Sequence, residues 1–333
     1  MGEHAAPPSF AAKPLRVGVS ACLLGREVRY DGQHKRDIFL VEQLGPFVEF
    51  VPVCPEVEVG MSIPRETLRL VRPAGGGEED GLRLQTTAKR EDWTDRMDAF
   101  ARRRVKQLLG EDLSGYVFKK DSPSCGVWRV KTYSEGDASA VKRDGQGLFA
   151  AALTAAFPNL PVEEEGRLND ARLRENFIER LFAYRRLQAL WEGNWTQGKL
   201  VTFHTAHKMA LLAHDEPTYR RLGRLVALGK TLPRGELREQ YEAGFMTALT
   251  KVATPGRHAN VLTHMLGHFS DRLDAPARQE LLGLIEDHRR GLVPLVVPLT
   301  LLRHHVKRLD VAYLSGQVYL DPHPKELMLR NHV

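Results

Sequence analysis

Three cysteines, Cys22, Cys54 and Cys125, are the whole thiol complement of this 333-residue chain. Each follows an apolar, β-like run. Leu15–Val19 precedes Cys22, Phe47–Val53 precedes Cys54, and Gly115–Phe118 precedes Cys125, which sits in Ser122-Pro123-Ser124-Cys125-Gly126. Strand ends in an open α/β sheet converge on one edge, and ligands bind there. The pattern predicts three thiols meeting at one place although they are far apart in sequence. Disulfide pairing would leave one over, and no signal peptide opens the chain, so a reducing, cytoplasmic setting is expected. Structural zinc prefers four ligands with local C-x-x-C pairs, which are absent. Three thiolates suit a metal centre with one open position, as in an iron–sulfur cluster. The competing reading is three buried cysteines that act as small hydrophobes.

The elements that must position these residues fall into two regions. From Leu15 to about Val162, strand candidates at 15–20, 47–53, 115–119 and 128–133 alternate with helix candidates at 36–44, 92–109 and 147–157. This alternation predicts an α/β fold, a three-layer Rossmann-like arrangement with a mainly parallel sheet. Two short strand-like pieces, 67–72 and 82–87, flank Gly75–Gly81. That glycine run reads as a flexible turn, because it lacks the strand-then-helix frame of a phosphate loop. After Glu163-Glu164-Glu165-Gly166 the period becomes helical, over 169–191, 199–214, 217–229, 235–250, 257–273, 275–290 and 299–309. The expected organisation is a loose tail at 1–13, an α/β domain at 14–165 and an all-α domain at 166–333. Tyr319–Pro324 is expected to run extended over the surface. No apolar run reaches membrane-spanning length.

Charge separates the two regions. Residues 166–333 hold 25 Lys and Arg against 17 Asp and Glu, while residues 1–165 hold 23 against 25. The net excess of +6 therefore lies wholly in the helical half. Arg220 and Arg221 with Arg224 form one of its basic clusters. A basic domain beside a neutral-to-acidic one suggests an anionic partner, most simply nucleic acid. The Arg102–Arg104 run reads as a solvated helix face. His264 and His268 have the i, i+4 spacing that can hold zinc, but no carboxylate stands in the required place between them. These histidines, like His204, His207 and His258, are read as serving packing, caps or RNA phosphates.

The cysteine blocks carry a resemblance. Val19-Ser20-Ala21-Cys22-Leu23-Leu24-Gly25 with Val28-Arg29-Tyr30-Asp31-Gly32, then Cys54-Pro55-Glu56 with Gly60 and Pro64-Arg65, then Ser122–Gly126, resemble three ordered blocks of the thiouracil desulfurase family. Asp121 departs from the pattern, which would place a basic or neutral residue there. In the second half, His204-Thr205-Ala206-His207-Lys208, Tyr219–Ala227, His258–Leu262 and Pro294–Leu299 resemble a YbgA-type helical domain. The fusion of the two resembles the tRNA 4-thiouridine desulfurases.

The resemblance implies a non-redox conversion of 4-thiouridine in tRNA to uridine, with release of sulfide. It implies an oxygen-labile 4Fe-4S cluster held by Cys22, Cys54 and Cys125, whose open iron binds the substrate sulfur. Glu56, two residues from Cys54, is the candidate general base or proton shuttle. Ser122 is the candidate for hydrogen-bonding the water or the base, with Ser124 competing for that place. Arg65 is a candidate for holding a phosphate or a carboxylate, and Arg29, Tyr30 and Asp31 for shaping the substrate pocket. Arg220, Arg221 and Arg224 are candidate RNA contacts. The alternatives are a desulfurase of free 4-thiouracil or thionucleosides, a non-catalytic iron–sulfur protein that binds nucleic acid, and a zinc protein.

Overall fold

A computed structural model describes residues 14–73, 81–135 and 137–332. The chain divides into two compact units, one over Pro14–Asn169 and one that includes Asp170–Val333. No helix among the described residues is long and apolar enough to cross a membrane.

The first unit is built on a parallel sheet of four strands. β1 (Arg16–Ser20), β2 (Glu49–Val53), β5 (Leu113–Phe118) and β8 (Val162–Glu164) lie in the order β2-β1-β5-β8. Every residue of β5 is buried, as an apolar strand in the middle of a parallel sheet requires. Tyr116 and Phe118 stack with ring centroids 4.1 Å apart, and Phe149 of α3 (Leu148–Ala156) joins them. α2 (Thr94–Leu108) buries Met97, Phe100, Ala101, Val105 and Leu108 at helical spacing. The expected mainly parallel sheet is present.

A second sheet was not expected. β3 (Leu68–Arg72), β4 (Arg83–Thr86), β6 (Val130–Ser134) and β7 (Asp137–Gly145) pair in the order β4-β3-β6-β7, with only β3 and β6 parallel. The strand at 128–133, expected beside the others, belongs here. In β6, Val130 and Thr132 are buried while Lys131 is exposed, the alternation of a strand covered on one face. The Gly75–Gly81 turn lies, but for Gly81, outside the described residues, as does the 1–13 tail.

The second unit runs through α4 (Ala171–Trp191), α5 (Gln197–Ala206), α6 (Lys208–His214), α7 (Glu216–Ala227), α8 (Arg234–Thr250), α9 (Pro255–Leu266), α10 (Ala275–Arg289), α11 (Val296–Arg308) and α12 (Ala312–Ser315). The single helix expected over 199–214 breaks at His207. Its ring stacks on Phe203 at 4.0 Å, and its Nδ1 donates to the Phe203 carbonyl at 2.8 Å, competing for that helical acceptor. The tail does not run over the surface: Tyr319 is fully buried in the helical core.

One buried ion pair in this unit has a clear pH consequence. Glu179 and His214 meet at 3.4 Å, both buried, and His214 Nδ1 donates to the Lys251 carbonyl at 2.5 Å. Burial alone would raise the Glu179 carboxyl, but the His214 ring and Arg330 outweigh it and hold it well below its ordinary value of 4.5. Burial alone would lower His214, but Glu179 outweighs it and raises the ring above its ordinary 6.5. The depressed acid stabilises the fold above 4.5 and stops doing so as pH falls through its folded pKa. The raised base stabilises below 6.5 and stops as pH rises through its folded pKa. Glu179→Gln should therefore cost most between pH 4.5 and 6.5, about 3–5 kcal/mol for breaking a buried pair. Thermal melts of both proteins from pH 3.5 to 9 check this; a deficit independent of pH would rule the pair out as its source.

Candidate thiol-lined active site

The strand order places a reversal at β1. From β1 the chain first adds β2 on one side, then crosses to β5 on the other. Such a switch point opens a crevice beyond the carboxyl ends of the strands. All three cysteines stand at those ends, and all three line one cavity of about 340 Å³. No disulfide joins them.

Each thiol is held by local chain geometry. Cys22 sits in a 3₁₀ turn, Ala21–Leu24, closed by Gly25 at φ 89, a conformation glycine adopts without strain. Its carbonyl accepts from the Lys35 amide at 2.9 Å. Cys54 caps the short helix α1 (Pro55–Glu58): its amide donates to Glu58 Oε1 at 2.9 Å, with Pro55 in the first turn. Cys125 follows β5 in a tight loop. The Cys125 and Ser124 amides donate to Ser122 Oγ at 3.2 and 3.3 Å, and the Gly126 amide donates to the Ser122 carbonyl at 2.8 Å. Gly147 closes against this loop so tightly that a Cβ there would lie 2.5 Å from the Ser124 carbonyl carbon. Ser20 Oγ receives the Lys119 amide at 2.9 Å and donates to Cys125 Sγ at 3.5 Å, which ties the ends of β1 and β5 together.

Burial pushes the Cys125 thiol up to about 12, helped by the nearby Cys22. Burial pushes Cys22 up to about 11, helped by Cys54, while Lys119 opposes the rise. Cys54 is raised by burial as well. The three sulfurs thus resist ionisation together, as closely grouped thiols do without a cation. Among the described residues, no three His, Cys, Asp or Glu side chains meet closely enough to grip a single ion. The thiols ring a cavity and do not converge on a point.

An ion pair, Glu56 with Arg65, stands at the cavity edge, braced by Ser124 from behind. Arg65 donates from Nε and Nη2 to Glu56 Oε2, at 2.8 and 2.6 Å, and from Nη2 to the Val28 carbonyl at 2.9 Å. Ser124 Oγ donates to Glu56 Oε1. The carboxylate that Arg65 holds is therefore Glu56. Ser124, not Ser122, bonds Glu56, while Ser122 Oγ accepts from its own loop's amides. Glu56, Arg65 and Ser122 line the cavity, and Ser124 stands behind it. Arg29 and Tyr30 also line it, the guanidinium 5.4 Å from the Tyr30 ring centroid. The Asp31 carboxylate accepts the Gln33 amide at 3.1 Å and pairs with Arg29 at 3.7 Å. Asp121 is neutralised by Arg143 at 3.2 Å and Lys120 at 3.7 Å.

Sequence reasoning missed Ser20, Lys119 and the Glu163–Glu165 run as supports of this site. The run follows the apolar pair Leu160 and Val162, a signal that its backbone continues a strand. In the helical unit, Arg220, Arg221 and Arg224 lie exposed on α7. Arg220 pairs with Glu216 at 2.6 Å, and Arg221 donates to Thr218 Oγ1 at 3.4 Å.

Comparison with known proteins gives matches in both regions. The 2-thiouracil desulfurase family profile matches residues 17–165, and that of a protein family of unknown function, DUF1722, matches 208–324. The uncharacterised protein YbgA of Escherichia coli (strain K12) is 35% identical over 165 residues, covering 49% of this chain and 98% of YbgA. The uncharacterised protein YbbK of Bacillus subtilis (strain 168) is 32% identical over 152 residues, covering 46% of this chain and 97% of YbbK. A solved structure of the [4Fe-4S]-dependent thiouracil desulfidase TudS is 30% identical, with a TM-score of 0.39, over 49% of this chain and 99% of that one. The chain accordingly belongs to the 2-thiouracil desulfurase family through residues 17–165, with a DUF1722 region following at 208–324.

Proposed function

We propose that this chain is an iron–sulfur desulfurase of thiolated pyrimidines whose substrate is 4-thiouridine in tRNA. The observation that carries the reading is the ring of three thiols around one cavity, with a braced carboxylate at its edge. The donor set fits a cluster. Three thiols spaced round a cavity, Cys22 and Cys125 buried and Cys54 half-buried, suit a body larger than one ion, which argues against mononuclear zinc. Cys22, Cys54 and Cys125 would hold a 4Fe-4S cluster, which would supply a thiophilic Lewis acid at its open iron.

The overall change is C=S plus water giving C=O plus hydrogen sulfide, with no electrons gained or lost. The chain's own part is to place the base, the water and their proton. A carboxylate offers about four lone-pair positions; Arg65 and Ser124 engage Glu56 on both oxygens and leave room for a water on the cavity side. Arg65 fixes the orientation of the carboxylate, which takes the proton from the attacking water and can return it to the departing sulfur. Ser122 stands on the cavity wall where its hydroxyl can reach the same water. Four cations, Lys119, Lys120, Arg29 and Arg65, line the cavity against the two carboxylates Glu56 and Asp121, an excess suited to an anionic leaving group even though each cation also pairs with a carboxylate.

The basic helical unit supports tRNA as the substrate. A base inside folded RNA must leave its stack to reach the cavity, and a grip on the backbone supplies binding energy for that. Arg220→Glu, Arg221→Glu and Arg224→Glu combined should lower kcat/KM on tRNA by about tenfold or more and spare free 4-thiouracil. Equal loss on both substrates would remove α7 from the RNA interface. The direct test follows the near-ultraviolet thiocarbonyl absorption of 4-thiouridine-containing tRNA with anaerobically reconstituted protein. Loss of that band on tRNA supports the reading. Loss on free 4-thiouracil alone moves the function to small-molecule salvage, and loss on neither leaves a binding protein.

A further inference from the structure

Three consecutive carboxylates at the end of β8, Glu163, Glu164 and Glu165, are all buried, at 4%, 6% and 8% exposure. Burying a run of like charges is costly unless each finds partners. Each does, and the partners of Glu164 and Glu165 share one address. Glu164 Oε1 accepts the amides of Val127 and Trp128 at 2.8 and 3.1 Å. Glu165 Oε2 accepts the Lys120 amide at 2.7 Å, and its Oε1 takes the Lys119 ammonium at 2.6 Å. Glu163 Oε1 holds Arg167 at 2.7 Å, whose guanidinium lies 5.0 Å from the Trp128 ring centroid. Glu164 and Glu165 end directly on segment 119–128, which carries Cys125, while Glu163 is linked to it only through Arg167 and the Trp128 ring.

That segment needs holding. Asp121 within it and Arg129 just beyond it adopt φ 59 and φ 56, left-handed conformations that cost energy for residues with a side chain. The loop's internal bonds fix its middle, around Ser122 and Gly126, but not its ends. Glu165 grips the first end and Glu164 the second. β8 is itself anchored to β5 by parallel pairing, Phe118 opposite Glu164.

We propose that Glu164 and Glu165 are positioning residues of the thiol site. They clamp both ends of the Cys125 loop and so set where the Cys125 sulfur stands relative to Cys22 and Cys54, and Glu165 also pins the Lys119 ammonium at the cavity wall. The clamp bears on function only through the desulfurase reading, but its geometry can be tested without it. Glu164 acts purely as an acceptor of two amide protons, so a glutamine oxygen can replace it and an alanine cannot.

The experiment uses the full, metal-free, reduced chain and iodoacetamide, with alkylation of each cysteine followed by peptide mass spectrometry. Glu164→Ala should speed alkylation of Cys125 by about tenfold relative to Cys22 and Cys54, because opening the loop exposes a buried thiol. Glu164→Gln should keep the original rate. After anaerobic reconstitution, Glu164→Ala should bind less iron and sulfide per chain and Glu164→Gln as much as the unaltered protein. Unchanged Cys125 labelling in the alanine variant overturns the proposal. So does equal acceleration of all three thiols, which signals general unfolding, or glutamine behaving like alanine. Selective Cys125 labelling in a chain that never takes up iron and sulfide retains the clamp and removes the desulfurase reading instead.

Discussion

Cys125→Ala is expected to eliminate desulfuration of both tRNA and free thiobase, and to leave the anaerobically reconstituted protein without the brown colour of an iron–sulfur cluster. Cys125 is the most enclosed of the three thiols, and burial holds it protonated up to about 12 in the absence of a cation. It also receives the Ser20 hydroxyl, which spans from β1 to the β5 loop. No fourth cysteine exists to substitute for it. Because the change removes a single sulfur from a small buried side chain, the fold should survive it, and circular dichroism of the variant checks that. Turnover in a correctly folded Cys125→Ala protein would exclude a three-cysteine centre as the source of activity. Retained colour with lost turnover would assign Cys125 to the reaction and not to the cluster.

Glu56→Gln should lower kcat by about 10²–10⁴-fold, the range expected for removing a positioned base, with the cluster absorption intact. The single glutamine oxygen can still accept from Arg65, and its amide N–H can donate to Ser124 Oγ, so the contacts of the brace can be kept while the proton acceptor is lost. Arg65→Lys separates orientation from charge: one ammonium cannot reproduce the two N–H bonds that Nε and Nη2 make to Oε2. Its expected loss is smaller than that of Glu56→Gln and falls on kcat more than on KM. A Glu56→Gln protein that turns over within about threefold of the original would make Glu56 a support and assign the base to another group or to solvent.

The fold class and the meeting of the thiols were legible in the sequence for a local reason. Apolar runs such as Leu113–Phe118 report burial residue by residue, and a cysteine directly after such a run must lie at a strand end. The change to helical period after β8 was equally plain. The second sheet was not legible, since the partners of β3, β4, β6 and β7 are set by pairing and register and not by composition.

The wiring of the site belongs to tertiary structure alone. Ser124 meets Glu56 across 68 residues, Ser20 meets Cys125 across 105, and Glu164 meets Val127 across 37. Each contact depends on the strand order β2-β1-β5-β8 and its register, which no local pattern encodes. Two serines in one motif look alike in sequence, yet the loop turns Ser122 onto its own amides and Ser124 onto the carboxylate. The acidic run looked like a domain boundary because charge normally marks solvent. It is buried because the loop that carries Cys125 supplies donors to Glu164 Oε1 and to both oxygens of Glu165, and Arg167 supplies one to Glu163; the sequence by itself marked the candidate residues, and the sheet decided which of them hold the others in place.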